Sequence, residues 1–121
     1  MIHIIYYAHS MEIYDTKREQ EELERLQEYF PKALIYNPNR PYIQQSKNPM
    51  QTCLHVLKDM SITDLAFSHE GRKVPLGVYT EIRLAQKYHK PIWIINSSEI
   101  HEYAGKAVTT KKSMSTNWAK V

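Results

Sequence analysis

Cysteine is nearly missing from this chain. Its single example, Cys53, has no partner for an internal disulfide, so no covalent framework holds the fold and a reducing compartment suits it. Long apolar runs are missing as well. No stretch approaches the roughly 20 residues of a membrane span, and the apolar opening of residues 2 to 8 is too short for the core of a secretion signal and carries His3. A cytoplasmic location without a membrane partner is therefore expected. The chain has 6 histidines but no zinc spacing such as HExxH, so no metal site is expected. Charge is close to balanced. The net +3 divides between an acidic segment, with Glu19, Glu21, Glu22, Glu24 and Glu28, and a basic one, with Lys106, Lys111, Lys112 and Lys120. That is too little to argue for nucleic acid as a partner. No repeat or low-complexity tract is present.

What is there reads as one domain: 121 residues, 42% hydrophobic and 24% charged, are enough for a single core. Residues 2 to 8 (IHIIYYA) form a nearly continuous apolar run, as expected of a central strand buried on both faces of a parallel sheet. Thr16-Lys17-Arg18-Glu19 fits a capping box and opens a helix to about Tyr29, with Leu23, Leu26 and Phe30 inward and Pro31 as the stop. Ala33 to Tyr36 is a short second strand. A loop rich in Pro, Asn and Gln follows, and Asn48-Pro49 caps a second helix on which Met50, Cys53, Leu54, Leu57 and Met60 make the apolar row. On that row Cys53 reads as a small core residue. Ile62 to Ser68 is a third strand, a third helix of about three turns lies between the Pro75/Gly77 entry and the Lys90-Pro91 break, and Ile92 to Ile95 is a fourth strand. This alternation predicts an α/β fold: one Rossmann-like domain, three-layer αβα, with a parallel sheet of four to five strands. Residues 1–96 make the core and 97–121 a C-terminal extension, in which residues 98 to 106 suggest one more short helix.

Open α/β sheets bind ligands beyond the carboxyl ends of their strands. The predicted ends gather Tyr7, His9, Ser10 and Met11, then Asn37, then Ser68 and His69, then Asn96, with Arg72 in the basic loop after the third strand. The helix carrying Gly77, Tyr79 and Glu81 opens onto the same rim. Rings, amides, hydroxyls and helix amides suit a nucleoside or nucleotide. Nine tyrosines against two tryptophans and two phenylalanines suit either a site for rings and sugars or polar-tipped core packing. Glu81 stands out because its helical neighbours Gly77, Val78, Leu84, Ala85 and Tyr88 form an apolar row, which sets a carboxyl against the protein body. The competing reading is a half-buried acid in a structural ion pair. For Asp64, near the start of its strand, position alone favours a turn or capping role.

Tyr6-Tyr7-Ala8, Asn37-Pro38, Asp64, Gly77-Val78-Tyr79-Thr80-Glu81-Ile82 and Lys90-Pro91 together resemble the nucleoside 2-deoxyribosyltransferase-like proteins. The resemblance covers about residues 2 to 96 through short motifs. It implies that Glu81 attacks the anomeric carbon of a nucleoside, that Tyr7 stands beside this nucleophile, and that Asp64 is an acid of the site. Val74-Pro75 occupy the place where the transferases carry a proton-donating acid, which leaves His9, His69 or Glu70 to replace it. Two readings follow. One is an enzyme of the N-glycosidic bond, a deoxyribosyltransferase or hydrolase with a Glu nucleophile. The other is a binding, sequestering or sensing module for a nucleotide-derived small molecule such as a cyclic nucleotide or an ADP-ribose-type signal. Neither needs a cofactor, and a homo-oligomer is expected from both.

Overall fold

The computed structural model describes residues 2–69, 73–96, 98–103, 110–112 and 117–120, with Lys73, 110–112 and 117–120 described through their backbone alone. Its centre is a five-stranded sheet in the order β2-β1-β3-β5-β6. Strands β1 (Ile4–Ala8), β2 (Leu34–Tyr36), β3 (Asp64–Ser68) and β5 (Ile92–Ile95) run parallel, and β6 (Ile100–Glu102) runs antiparallel to β5. The α/β class, the Rossmann-like layering and the parallel sheet agree with expectation.

Helix α1 (Lys17–Tyr29) lies on one face of the sheet, and α2 (Pro41–Gln44), α3 (Pro49–Lys58) and α4 (Leu76–Lys87) lie on the other. The sequence explains where they begin and end. The Thr16 hydroxyl accepts the Glu19 amide at 3.3 Å, and the Asn48 side chain accepts the Gln51 amide at 3.2 Å with Pro49 next to it, so orphan donors of both helices are satisfied. Helix α4 ends where His89 takes a left-handed φ of 56°, and the Lys90 amide reaches back to the Ala85 carbonyl at 2.9 Å in a Schellman-type closure. Tyr88, expected on the inward row, lies past the last helical residue and is exposed.

Because strand side chains alternate, β1 serves two cores. Tyr6 and Ala8 pack with Cys53, Leu57, Phe67, Val78 and Ile82 beneath α3 and α4. Ile5 and Tyr7 pack with Leu26, Ala66 and Ile95 beneath α1. The inward stripe of α1 also differs from its expected apolar content: Leu26 is buried, Leu23 and Phe30 partly so, and Glu19 and Glu22 continue the same stripe toward the N-terminus.

The short helix expected over 98 to 106 is corrected to a strand where it is described. The Asn96 side-chain oxygen accepts the amides of Ser98 at 2.9 Å and Glu99 at 3.0 Å, a local turn that reverses the chain at the end of β5. Ile100 then pairs with Ile95. A second, antiparallel sheet joins β4 (Lys73–Pro75) to β8 (Asn117–Lys120) and β8 to β7 (Thr110–Lys112). The extension thus returns to pair with the strand that leads directly into α4. Among the described residues no helix is long and apolar enough to cross a membrane.

Candidate functional site

A cavity of about 320 Å³ opens beyond the carboxyl end of β1, on the α3/α4 face of the sheet. The segment after β1 supplies one wall through His9, Ser10, Met11, Glu12 and Tyr14, fixed by a one-turn 3₁₀ helix, Met11–Ile13, that Ser10 caps by accepting the Glu12 amide. Pro38, Ile43 and Gln44 close the side above β2. Met50 and Cys53 come from α3, and Pro75, Gly77, Val78 and Glu81 from the start of α4. Gly77 lets these two helices approach: a Cβ at this position would stand 3.2 Å from the Met50 sulfur. Tyr6 completes the lining from the sheet.

Glu81 is 6% exposed, and among the described residues its carboxyl meets no charged partner; the Tyr6 hydroxyl is the group beside it. Burial pushes its carboxyl up to about 8, with the neighbouring Tyr6 hydroxyl pulling the other way, so at neutral pH the group holds its proton. Tyr6 is fully buried, and its hydroxyl lacks a hydrogen bond of normal geometry, although Glu81 and Cys53 lie beside it. An unpaired buried hydroxyl costs about 1 to 3 kcal/mol. Burial also raises the Tyr6 hydroxyl and the Cys53 thiol above their usual ranges. Three proton-bearing groups without a fixed charge therefore cluster at one wall of the cavity.

The opposite face is built differently. The Tyr7 hydroxyl donates to the Glu22 carboxylate at 2.6 Å, and Arg18 Nε donates to the same group at 3.2 Å. Arg18 Nη2 continues to the Ser68 hydroxyl at 2.9 Å. The His9 ring stacks on Tyr7 with centroids 3.8 Å apart, its Nδ1 donates to the Tyr7 carbonyl at 3.0 Å, and its Nε2 meets the Glu19 carboxylate at 2.7 Å. Since a carbonyl can only accept, Nδ1 carries a proton, and the Nε2–Glu19 contact shares one between the two groups; burial pulls the ring below its usual range while Glu19 and the Tyr7 carbonyl pull it the other way. Burial pushes Glu19 upward, but the His9 ring, the Asp15 amide and the Asn39 side chain outweigh it and hold the carboxylate below its usual range.

Of the residues expected at the site, His9, Ser10, Met11, Gly77 and Glu81 meet at the cavity. Tyr7 does not stand beside Glu81: it points to the α1 face, and the tyrosine near Glu81 is Tyr6, because successive strand residues face opposite ways. Asp64 is also away from Glu81. It begins β3, at the opposite end of the sheet, where it contacts His3 and accepts the Trp93 indole N–H at 3.0 Å. Asn37 accepts the Asn39 amide within a turn, Asn96 shapes the turn after β5, and Tyr79 packs against the core. Ser68 belongs to the Arg18 network, and His69 leaves its buried Nε2 without a hydrogen bond. Arg72 and Glu70 lie outside the described residues. Sequence reasoning missed Tyr6 and Tyr14 and took Cys53 for plain core. A tyrosine pair on one strand does signal that one ring lies on each face; which ring faces α4 depends on strand order. Among the described residues no group of His, Cys, Asp and Glu side chains could hold a metal ion. No protein-family model matches the sequence, and no curated protein matches it at a significant level.

Proposed function

We propose that the cavity captures a nucleoside-type small molecule. The observation carrying this reading is the placing of Glu81 beside Tyr6: a buried carboxyl with no charged partner among the described residues and a buried hydroxyl without a hydrogen bond of normal geometry, at one wall of a largely apolar, tyrosine-lined cavity beyond the strand ends. Native structures rarely leave such groups unpaired, and a ligand edge with a donor and an acceptor satisfies both. The volume of about 320 Å³ falls at the lower end of ligand pockets, and Tyr14, Met50 and Pro38 offer flat or adaptable surface to a ring. The resemblance to nucleoside 2-deoxyribosyltransferase-like proteins points to the same ligand class. Calorimetry with a panel of nucleosides and their monophosphates tests the reading. Saturable binding that weakens at least tenfold in Glu81→Ala is expected; no binding, or equal binding by the variant, contradicts it.

A second reading, cleavage or transfer of the N-glycosidic bond, is favoured by a second carboxyl on the same cavity, that of exposed Glu12. Glycosidic chemistry uses an acid and a carboxylate together. Here the pH profile separates the roles. If Glu81 is the nucleophile it acts only after losing its proton, and the rate rises with pH through about 8. If Glu81 is the acid, the rate falls through the same range. Absence of base release or exchange across the panel removes this second reading and leaves the first.

A further inference from the structure

The described lining of the cavity carries carboxyls without a free cation. Among the described residues that line it there is no lysine or arginine, whereas two carboxyls, Glu81 and Glu12, are present. His9, the one imidazole on its wall, directs Nε2 to Glu19 and Nδ1 to the Tyr7 carbonyl. We propose, resting on the reading of this cavity as a ligand site, that its ligand is an organic cation, a ring or amine whose positive end seats against Glu81.

The buried acids across the sheet support this assignment by contrast. Glu22 has Arg18, and Glu19 has His9 and Asn39, while among the described residues Glu81 has no cation beside it. Among the described residues, the titratable groups that face it are of another kind: Tyr6 from β1, Cys53 from α3 and Tyr14 from the segment after β1. Burial raises each of these three, so they stay protonated and neutral and cannot serve as its counter-ion. A ligand can. A cation at Glu81 converts an isolated buried carboxyl into an ion pair, and the tyrosine rings add attraction for positive charge. An anionic group at the same place meets two carboxyls and, among the described residues, no fixed cation, so a phosphate is disfavoured at Glu81.

Proton balance gives this proposal a readout of its own. In the free protein Glu81 holds its proton at neutral pH, and a bound cation drives that proton to solvent. Affinity for a cation of fixed charge should therefore rise close to tenfold per pH unit from about pH 6 and level off above about pH 8.

The probes are nicotinamide and its ring-methylated cation, which differ by one methyl group and one charge, together with adenosine and its ring-methylated cation. Calorimetry in buffers of different ionisation enthalpy should show each cation binding at least tenfold more tightly than its neutral partner, with release of close to one proton at about pH 6.5. Glu81→Gln should abolish both the preference and the proton release. Glu12→Gln, at an exposed position, should weaken the cations by a few-fold. Equal or tighter binding of the neutral partners, or cation binding without proton release, overturns the proposal. If neutral nucleosides bind and the cations do not, this proposal fails while nucleoside capture stands. If the nicotinamide cation binds and no nucleoside does, the reverse holds. If none of the probes binds, both fail.

Discussion

The two faces of the sheet handle a buried carboxyl in opposite ways. Beneath α1, Glu19 and Glu22 are 6% and 1% exposed, and each is surrounded by donors: His9, Asn39 and the Asp15 amide for the first, Tyr7 and Arg18 for the second. Beneath α3 and α4, Glu81 is also 6% exposed but stands next to a tyrosine hydroxyl and a thiol, with no cation among the described residues. Their exposure is nearly equal, but Glu81 lies deeper in the protein and has fewer donors, so depth and partners together decide the outcome. The donor-rich acid Glu19 is held below its usual range while Glu81 is pushed up to about 8. A carboxyl that stays neutral beside a cavity is available to a ligand; one consumed by a network holds helix and strands together.

The largest effect that could break this comparison is the pH dependence of stability. Glu81 has a folded-state value above its unfolded one, so between about 4.5 and about 8 the folded state binds more protons than the unfolded state. Stability should therefore fall as pH rises through that window, by up to about 1.4 kcal/mol per pH unit from this group, and Glu81→Gln should remove that slope. Denaturant unfolding of both proteins across the window measures it; matching slopes would mean that Glu81 is not isolated. Next in size is Glu22→Ala, which strands the Tyr7 hydroxyl and takes a partner from Arg18. A loss of about 3 kcal/mol in denaturant unfolding is expected, and a loss below about 1 kcal/mol would show that the α1 network is not structural. His9→Phe keeps a ring against Tyr7 but leaves Glu19 short of a donor, and about 2 kcal/mol should be lost by the same measurement. The smallest effect is Thr16→Ala, which removes the α1 cap and should lower stability by about 1 kcal/mol without changing ligand binding.

Local signals carried most of the fold. The apolar run of β1, the caps at Thr16 and Asn48 and the stop at Pro31 depend on residues close in sequence, and the elements lie near where they were expected. The β-strand at Ile100 was harder to read because it follows from the Asn96 turn and from pairing with β5, neither of which has a helical or strand period of its own. The candidate site was legible in part. Glu81 stood out because its helical neighbours are apolar, and that row does turn inward. The choice between Tyr6 and Tyr7 was not legible, since a period of two separates the rings without saying which one faces α4. Likewise, the glutamates of α1 read only as an acidic segment, because the partners Tyr7 and His9 come from another element.

The titration of Glu81 itself tests the central claim most directly. Carbon-13 NMR of the side-chain carboxyl, followed through pH in the ligand-free protein, should give a midpoint near 8, well separated from that of Glu19. A midpoint near the ordinary value of about 4.3 would contradict the account, because it would mean that Glu81 has a partner and that the two faces of the sheet treat a buried acid alike.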